Sequence, residues 1–74
     1  MPDHLVKIIE ALRPLDFTSI RELVFILRAE QPTIKGFEVR YHLNTLWDLG
    51  LVEKQTEDLG KVKQTLWKIV ENNS

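Results

Sequence analysis

The chain has 74 residues, enough for one domain and not for two. It contains no cysteine, so neither disulfides nor a thiolate metal cluster can add to what packing supplies. Ten lysines and arginines against eleven aspartates and glutamates give a formal net charge of −1, which excludes the strongly basic character of many nucleic-acid binders and confines any attraction for phosphate to a local patch.

Apolar residues make up 43% and charged residues 28%, a mixture that suits a folded domain and not a disordered tail. The longest uninterrupted apolar run, Leu23-Val24-Phe25-Ile26-Leu27, falls far short of the roughly 20 residues a membrane-spanning helix needs. Met1-Pro2-Asp3-His4 lacks the basic region and long apolar segment of a secretory signal, so a cytoplasmic location with no membrane partner is the expectation.

Leu5, Ile8, Ile9 and Leu12 keep the i, i+3, i+4, i+7 spacing of an amphipathic helix, predicted over 3–13 with Asp3 as its cap and Pro14 closing it. Asp16-Phe17-Thr18 is too short and polar to be more than a connector or a single short strand. Ser19 and Glu22 form a capping box, each side chain placed to satisfy a backbone N–H, and predict a second helix over 20–29. At about 100° per residue, Ile20, Leu23, Val24 and Leu27 share one face of that helix, Ile26 lies at its margin, and Phe25 points nearly the opposite way.

Gln31-Pro32-Thr33 breaks the pattern, because proline lacks the donor a continuing helix requires, and a connector containing Ile34 follows. Val39, Leu43, Leu46 and Trp47 restore helical spacing and predict a third helix over 36–49, ended by Gly50 as a left-handed residue. Beyond it, 51–56 and 64–70 favour extended structure and predict a hairpin whose long polar tip contains Gly60. Trp47 and Trp67 are expected in the core, and Glu71-Asn72-Asn73-Ser74 as a frayed tail.

Three short helices, a Gly-Leu-Val ending and a hairpin together predict an α+β fold, mostly α: one winged helix-turn-helix domain over 1–74, with the hairpin as wing. The residues resemble the N-terminal DNA-binding domain of the ferric uptake regulator family. Ile8-Ile9-Glu10-Ala11-Leu12 looks like that family's first helix, and Pro32 and Ile34 echo its long connector. Glu38-Val39-Arg40-Tyr41-His42-Leu43-Asn44-Thr45-Leu46 and Gly50-Leu51-Val52 are similar to its third helix and ending, with arginine and tyrosine in swapped order and Glu38 in place of threonine. The resemblance covers about 5–70 and implies DNA binding; metal sensing is not carried over with it.

With Val39, Leu43 and Leu46 turned inward, the third helix is left with Glu38, Arg40, Tyr41, Asn44, Thr45 and Asp48 facing outward. Arginine pairs bidentately with guanine, asparagine with adenine, and a threonine methyl contacts a thymine methyl. Arg40, Tyr41, Asn44 and Thr45 are therefore the candidate base-reading residues. Lys35, Lys61, Lys63 and Gln64 are the candidate phosphate contacts that fix register without reading sequence.

The expected function is that of a sequence-specific duplex-DNA-binding protein, a small transcriptional regulator or repressor that inserts its third helix in the major groove. The alternative is a winged-helix protein-interaction module, which the near-zero net charge favours. His4 and His42 have no cluster of partners that would make a metal site, no nucleophile motif or phosphate loop suggests an enzyme, and no cofactor is expected. Phe25, with the apolar surplus of Val6 and Leu15, points to a homodimer through the first helix and Phe25.

Overall fold

The computed structural model describes residues 1–70; the expected frayed tail, 71–74, lies outside the described residues. Its elements in chain order are α1 (Asp3–Leu12), β1 (Thr18–Ser19), α2 (Ile20–Leu27), α3 (Gly36–Asp48), β2 (Val52–Asp58) and β3 (Lys63–Ile69). The architecture is α+β: three helices and a three-stranded antiparallel sheet in the order β1-β3-β2. Among the described residues no helix is long and apolar enough to cross a membrane.

Each helix forms where the apolar spacing demands it and buries that stripe. Leu5, Ile8 and Leu12 of α1, Leu23, Val24 and Leu27 of α2, and Val39, Leu43 and Leu46 of α3 meet in one core, joined by Ile34, Val52 and Trp67. The ends are set by different devices. Asp3, expected as the cap of α1, is instead its first helical residue; Pro2 holds the cap position with no side-chain bond, and its carbonyl accepts from the N–H groups of Leu5 and Val6. Proline carries no side-chain acceptor, so α1 begins without the side-chain cap expected from Asp3.

At α2 the capping box forms in altered shape. The Ser19 hydroxyl accepts from the Glu22 N–H at 3.2 Å, but the Glu22 carboxylate takes the hydroxyls of Thr18 (3.2 Å) and Ser19 (3.4 Å) and not the Ser19 backbone N–H. Ser19 is also the last residue of β1, opposite Leu66 on β3, so strand and cap share one residue. Ser19→Ala is expected to cost about 0.5–2 kcal/mol in a urea titration, since Thr18 cannot reach round to the orphaned N–H. A loss too small to measure would mean that water caps α2 equally well.

Regular α2 stops at Leu27, short of the expected 29, because the next turns tighten: the Ala29 and Glu30 N–H groups donate to carbonyls three residues back. The Arg28 Nε then donates to the Ile34 carbonyl at 3.2 Å, tying the connector down and seating Ile34 in the core. Helix α3 ends in a Schellman motif, with Leu51 N–H donating to Leu46 O and Gly50 N–H to Trp47 O, which requires the left-handed φ of +75° at Gly50.

Strands β2 and β3 pair over their full seven residues, Val52 opposite Ile69 through Asp58 opposite Lys63. Ladder pairing thus extends into the segment expected as a long polar tip. The turn that remains is 59–62, closed by a Leu59 N–H to Val62 O bond of 2.8 Å, with Gly60 at φ +88° and its N–H held by the Asp58 carboxylate. Residue pairs directly opposite share a sheet face, so Val52, Lys54, Trp67, Ile69 and Thr18 of β1 all look the same way. Burial of Val52, Trp67 and Thr18 marks that face as the one laid on the helices.

Candidate functional site

Between the exposed flank of α3, the start of α2 and the helix-facing side of the sheet lies an open cleft of about 400 Å³, within the size range of small-ligand sites. Four of its lining side chains are cations: Arg21 from the first turn of α2, Arg40 from α3, Lys54 from β2 and Lys63 from β3. No aspartate or glutamate lines it. Among the described residues the ion pairs are Lys7–Glu30 (3.4 Å) and Lys68–Asp16 (3.5 Å), and neither engages a cation of the cleft. A protein with a net charge of −1 therefore gathers four positive charges, none of them in those ion pairs, around one concavity, the local patch that its overall balance left open.

Of the residues singled out from the sequence, the cleft brings together Arg40, Asn44, Lys63 and Gln64. Tyr41 and Thr45 stand outside it. Tyr41 is 70% exposed, its ring edge-on to His42 at 5.8 Å. Thr45 spends its hydroxyl on the Tyr41 carbonyl at 3.2 Å, the back-bond of a helical threonine, which leaves its methyl as the group free to contact anything else. Lys35, at the N-cap of α3, and Lys61, in the 59–62 turn, are exposed and do not line the cleft.

Several site residues were not legible beforehand. Arg21 and Lys54 line the cleft beside Arg40, and Ser19, Thr65 and Trp67 complete its polar wall and floor. The register that sets Lys54 opposite Trp67 would have pointed to Lys54, but that register follows from the pairing of whole strands. Phe37, absent from the expected outward set, is 70% exposed at the start of α3, one turn from Tyr41. Trp47, expected in the core, is 42% exposed; it lies at the edge of the α3 stripe, where the Lys54 ammonium sits 4.7 Å from its ring centroid. The same ammonium lies 5.6 Å from the ring of Trp67, so Lys54 bridges two indoles by cation–π attraction.

Away from the cleft, His4 of α1 and His42 of α3 stack at 4.3 Å with a tilt of 36°. Among the described residues no group of three or more histidines and carboxylates could hold a metal ion. The His42 Nδ1 is buried without a partner. Burial holds the His42 pKa below its ordinary 6.5; His4 pushes the same way, and Glu38 opposes both. The unfolded chain thus takes up this proton at a higher pH than the folded one, and stability is full above about pH 6.5. It declines as pH falls from there through the lowered folded pKa and levels off below it. His42→Gln should flatten that part of the profile in urea midpoints taken across this range; an unchanged slope would show that other groups carry it.

Phe25 stands 82% exposed on α2, flanked by Arg21 and Arg28 beside the start of α3. Of the apolar surplus expected on the first helix and its exit, Leu15 packs against the core and Val6 is half-buried. No family model, no curated protein and no solved structure matches this chain, so the cleft has to be read from its own chemistry.

Proposed function

We propose that this protein binds duplex DNA in a sequence-specific way, as a small winged helix-turn-helix regulator whose α3 enters the major groove and whose β2–β3 hairpin acts as the wing. The observation that carries this reading is the cleft beside α3, with four cations, no carboxylate and an arginine and an asparagine on its helical wall. Arg40 and Asn44, one turn apart, supply the two side chains that pair bidentately with guanine and adenine. Lys54 and Lys63 on the hairpin and Arg21 on α2 flank them and serve the phosphates on either side of the groove. Thr45 and Tyr41 extend the reading surface beyond the cleft on α3, and Lys35 and Lys61 are assigned to more distant phosphates. Repression of transcription from a promoter-proximal site is the simplest regulatory role for such a module.

The test is a mobility-shift selection from random duplexes followed by titration of the winning sequence at two salt concentrations. Each phosphate contact releases condensed counterions, so affinity should fall steeply with salt, with a log–log slope near −0.9 per contact. Lack of binding even at low salt would sink the proposal.

The second reading, a protein-interaction module of the same scaffold, is favoured by a specific observation: Phe25 and Phe37 are 82% and 70% exposed. A homodimer joined through Phe25 would reconcile the two readings, presenting two α3 helices to half-sites about one helical turn apart and predicting a roughly palindromic selected sequence. An interface of this apolar kind would be insensitive to salt, which separates it from duplex binding.

A further inference from the structure

The cleft holds one group whose presence neither packing nor base reading explains. Trp67 is 3% exposed, yet its indole Nε1 has no hydrogen-bond partner. Directly opposite on β1, the Thr18 hydroxyl is turned to the Glu22 carboxylate, and on β2 the residue facing Trp67 is Lys54, a donor with nothing to accept. A buried donor left unanswered opposes folding, and a phenylalanine would fill a sheet floor without that penalty.

We infer that the cleft is a phosphoryl-anion site in which Trp67 Nε1–H is the buried neutral donor and Arg21, Lys54 and Lys63 supply the charge. A tetrahedral oxyanion offers acceptors in several directions at once, which suits one fixed N–H and three long cationic side chains converging from α2, β2 and β3. Lys54 is the moving part. Its ammonium lies over both indoles, held by cation–π attraction that is weak beside a charge-assisted bond to phosphate. Its flexible stem lets it swing from the rings of Trp47 and Trp67 to an incoming oxyanion. Arg40 and Asn44 stay free for the bases.

For the identity of the anion the inference rests on the duplex-binding reading: the phosphoryl group is a backbone phosphate of the bound duplex or free inorganic phosphate, and the chemistry of the site is the same for both. The experiment follows the indole N–H signals of the 15N-labelled protein by NMR. The chain has two tryptophans, so Trp47→Phe assigns the pair. Inorganic phosphate is titrated against chloride at constant ionic strength, and the selected duplex is titrated separately.

The expected result is a saturable shift of the Trp67 signal. Movement with duplex alone assigns the site to the backbone; movement with phosphate, together with competition for the duplex, assigns it to the free ion. Lys54→Gln should raise the midpoint about tenfold, the worth of one charge-assisted hydrogen bond. It leaves the buried side chains untouched, so the result does not depend on whether a Trp67 variant folds. A Trp67 signal unmoved by either anion overturns the inference, and if the duplex nevertheless binds, the proposed function survives it. A shift with phosphate in a protein that binds no duplex upholds the anion site and overturns the duplex reading.

Discussion

Leu43→Ala is expected to remove about 2–5 kcal/mol of folding stability, the cost of deleting a wholly enclosed leucine side chain and leaving a cavity behind. Leu43 has no accessible surface, sits in the middle of α3, and belongs to the cluster in which α1, α2, α3 and the sheet meet. A single core in a chain of this length supplies only about 3–5 kcal/mol in total, so one truncation is comparable with the whole margin. With no cysteine and no other covalent tie, nothing else offsets the loss. Tyr41→Ala on the same helix is the control: its side chain is 70% exposed, and its removal should change stability by no more than about 0.5 kcal/mol. Urea titrations followed by far-ultraviolet circular dichroism measure both. Equal losses from the two would mean that α3 is not anchored where its burial pattern places it, and the outward positions of Arg40 and Asn44 would lose their support.

That burial pattern is the part of the molecule the sequence states most directly. A helix declares its inward face through a 3.6-residue period, and the apolar positions of all three helices recur at that period without help from the rest of the chain. Gly50 and the 31–33 break likewise act locally, through a positive φ and a missing donor. What was harder to see depends on partners distant in sequence. Thr18 and Ser19 become a strand only because Trp67 and Leu66 lie opposite, and Lys54 becomes a site residue only because the register puts it beside an indole.

Trp47 shows the limit from the other side. Spacing alone allies it with Leu43, one turn earlier, yet it is 42% exposed at the edge of the stripe, with the Lys54 ammonium 4.7 Å from its ring. For Arg40 and Asn44 the outward direction was legible, since the helical period places them off the buried stripe of Val39, Leu43 and Leu46. The concavity they share with Arg21 and Lys63 was not, because it is made by the packing of three elements.

Arg40→Ala and Lys63→Ala are expected to weaken duplex binding in different ways, and the difference bears on the mechanism more than either loss. Arg40 presents a rigid planar fork from the helical wall, the geometry that matches the O6 and N7 acceptors of guanine. Its removal should cost about 1–3 kcal/mol and relax preference at one base position while the rest of the site is still read. Lys63, opposite Asp58 at the end of the hairpin ladder, is a point charge on a flexible stem. Its loss should weaken every duplex alike and reduce the salt slope by about one contact.

Arg40→Lys decides between a fork and a charge, because lysine keeps the charge and loses the paired donors. If Lys at this position restores affinity but not preference, Arg40 reads a base. If Arg40→Ala costs affinity without relaxing preference and Arg40→Lys restores that affinity, Arg40 is one more phosphate contact, and sequence discrimination must be sought in Asn44 and the Thr45 methyl. Binding measured against the selected duplex and single-base variants of it, at matched salt, separates these outcomes; sequence-blind losses of equal size from Arg40→Ala and Lys63→Ala would remove base reading from Arg40.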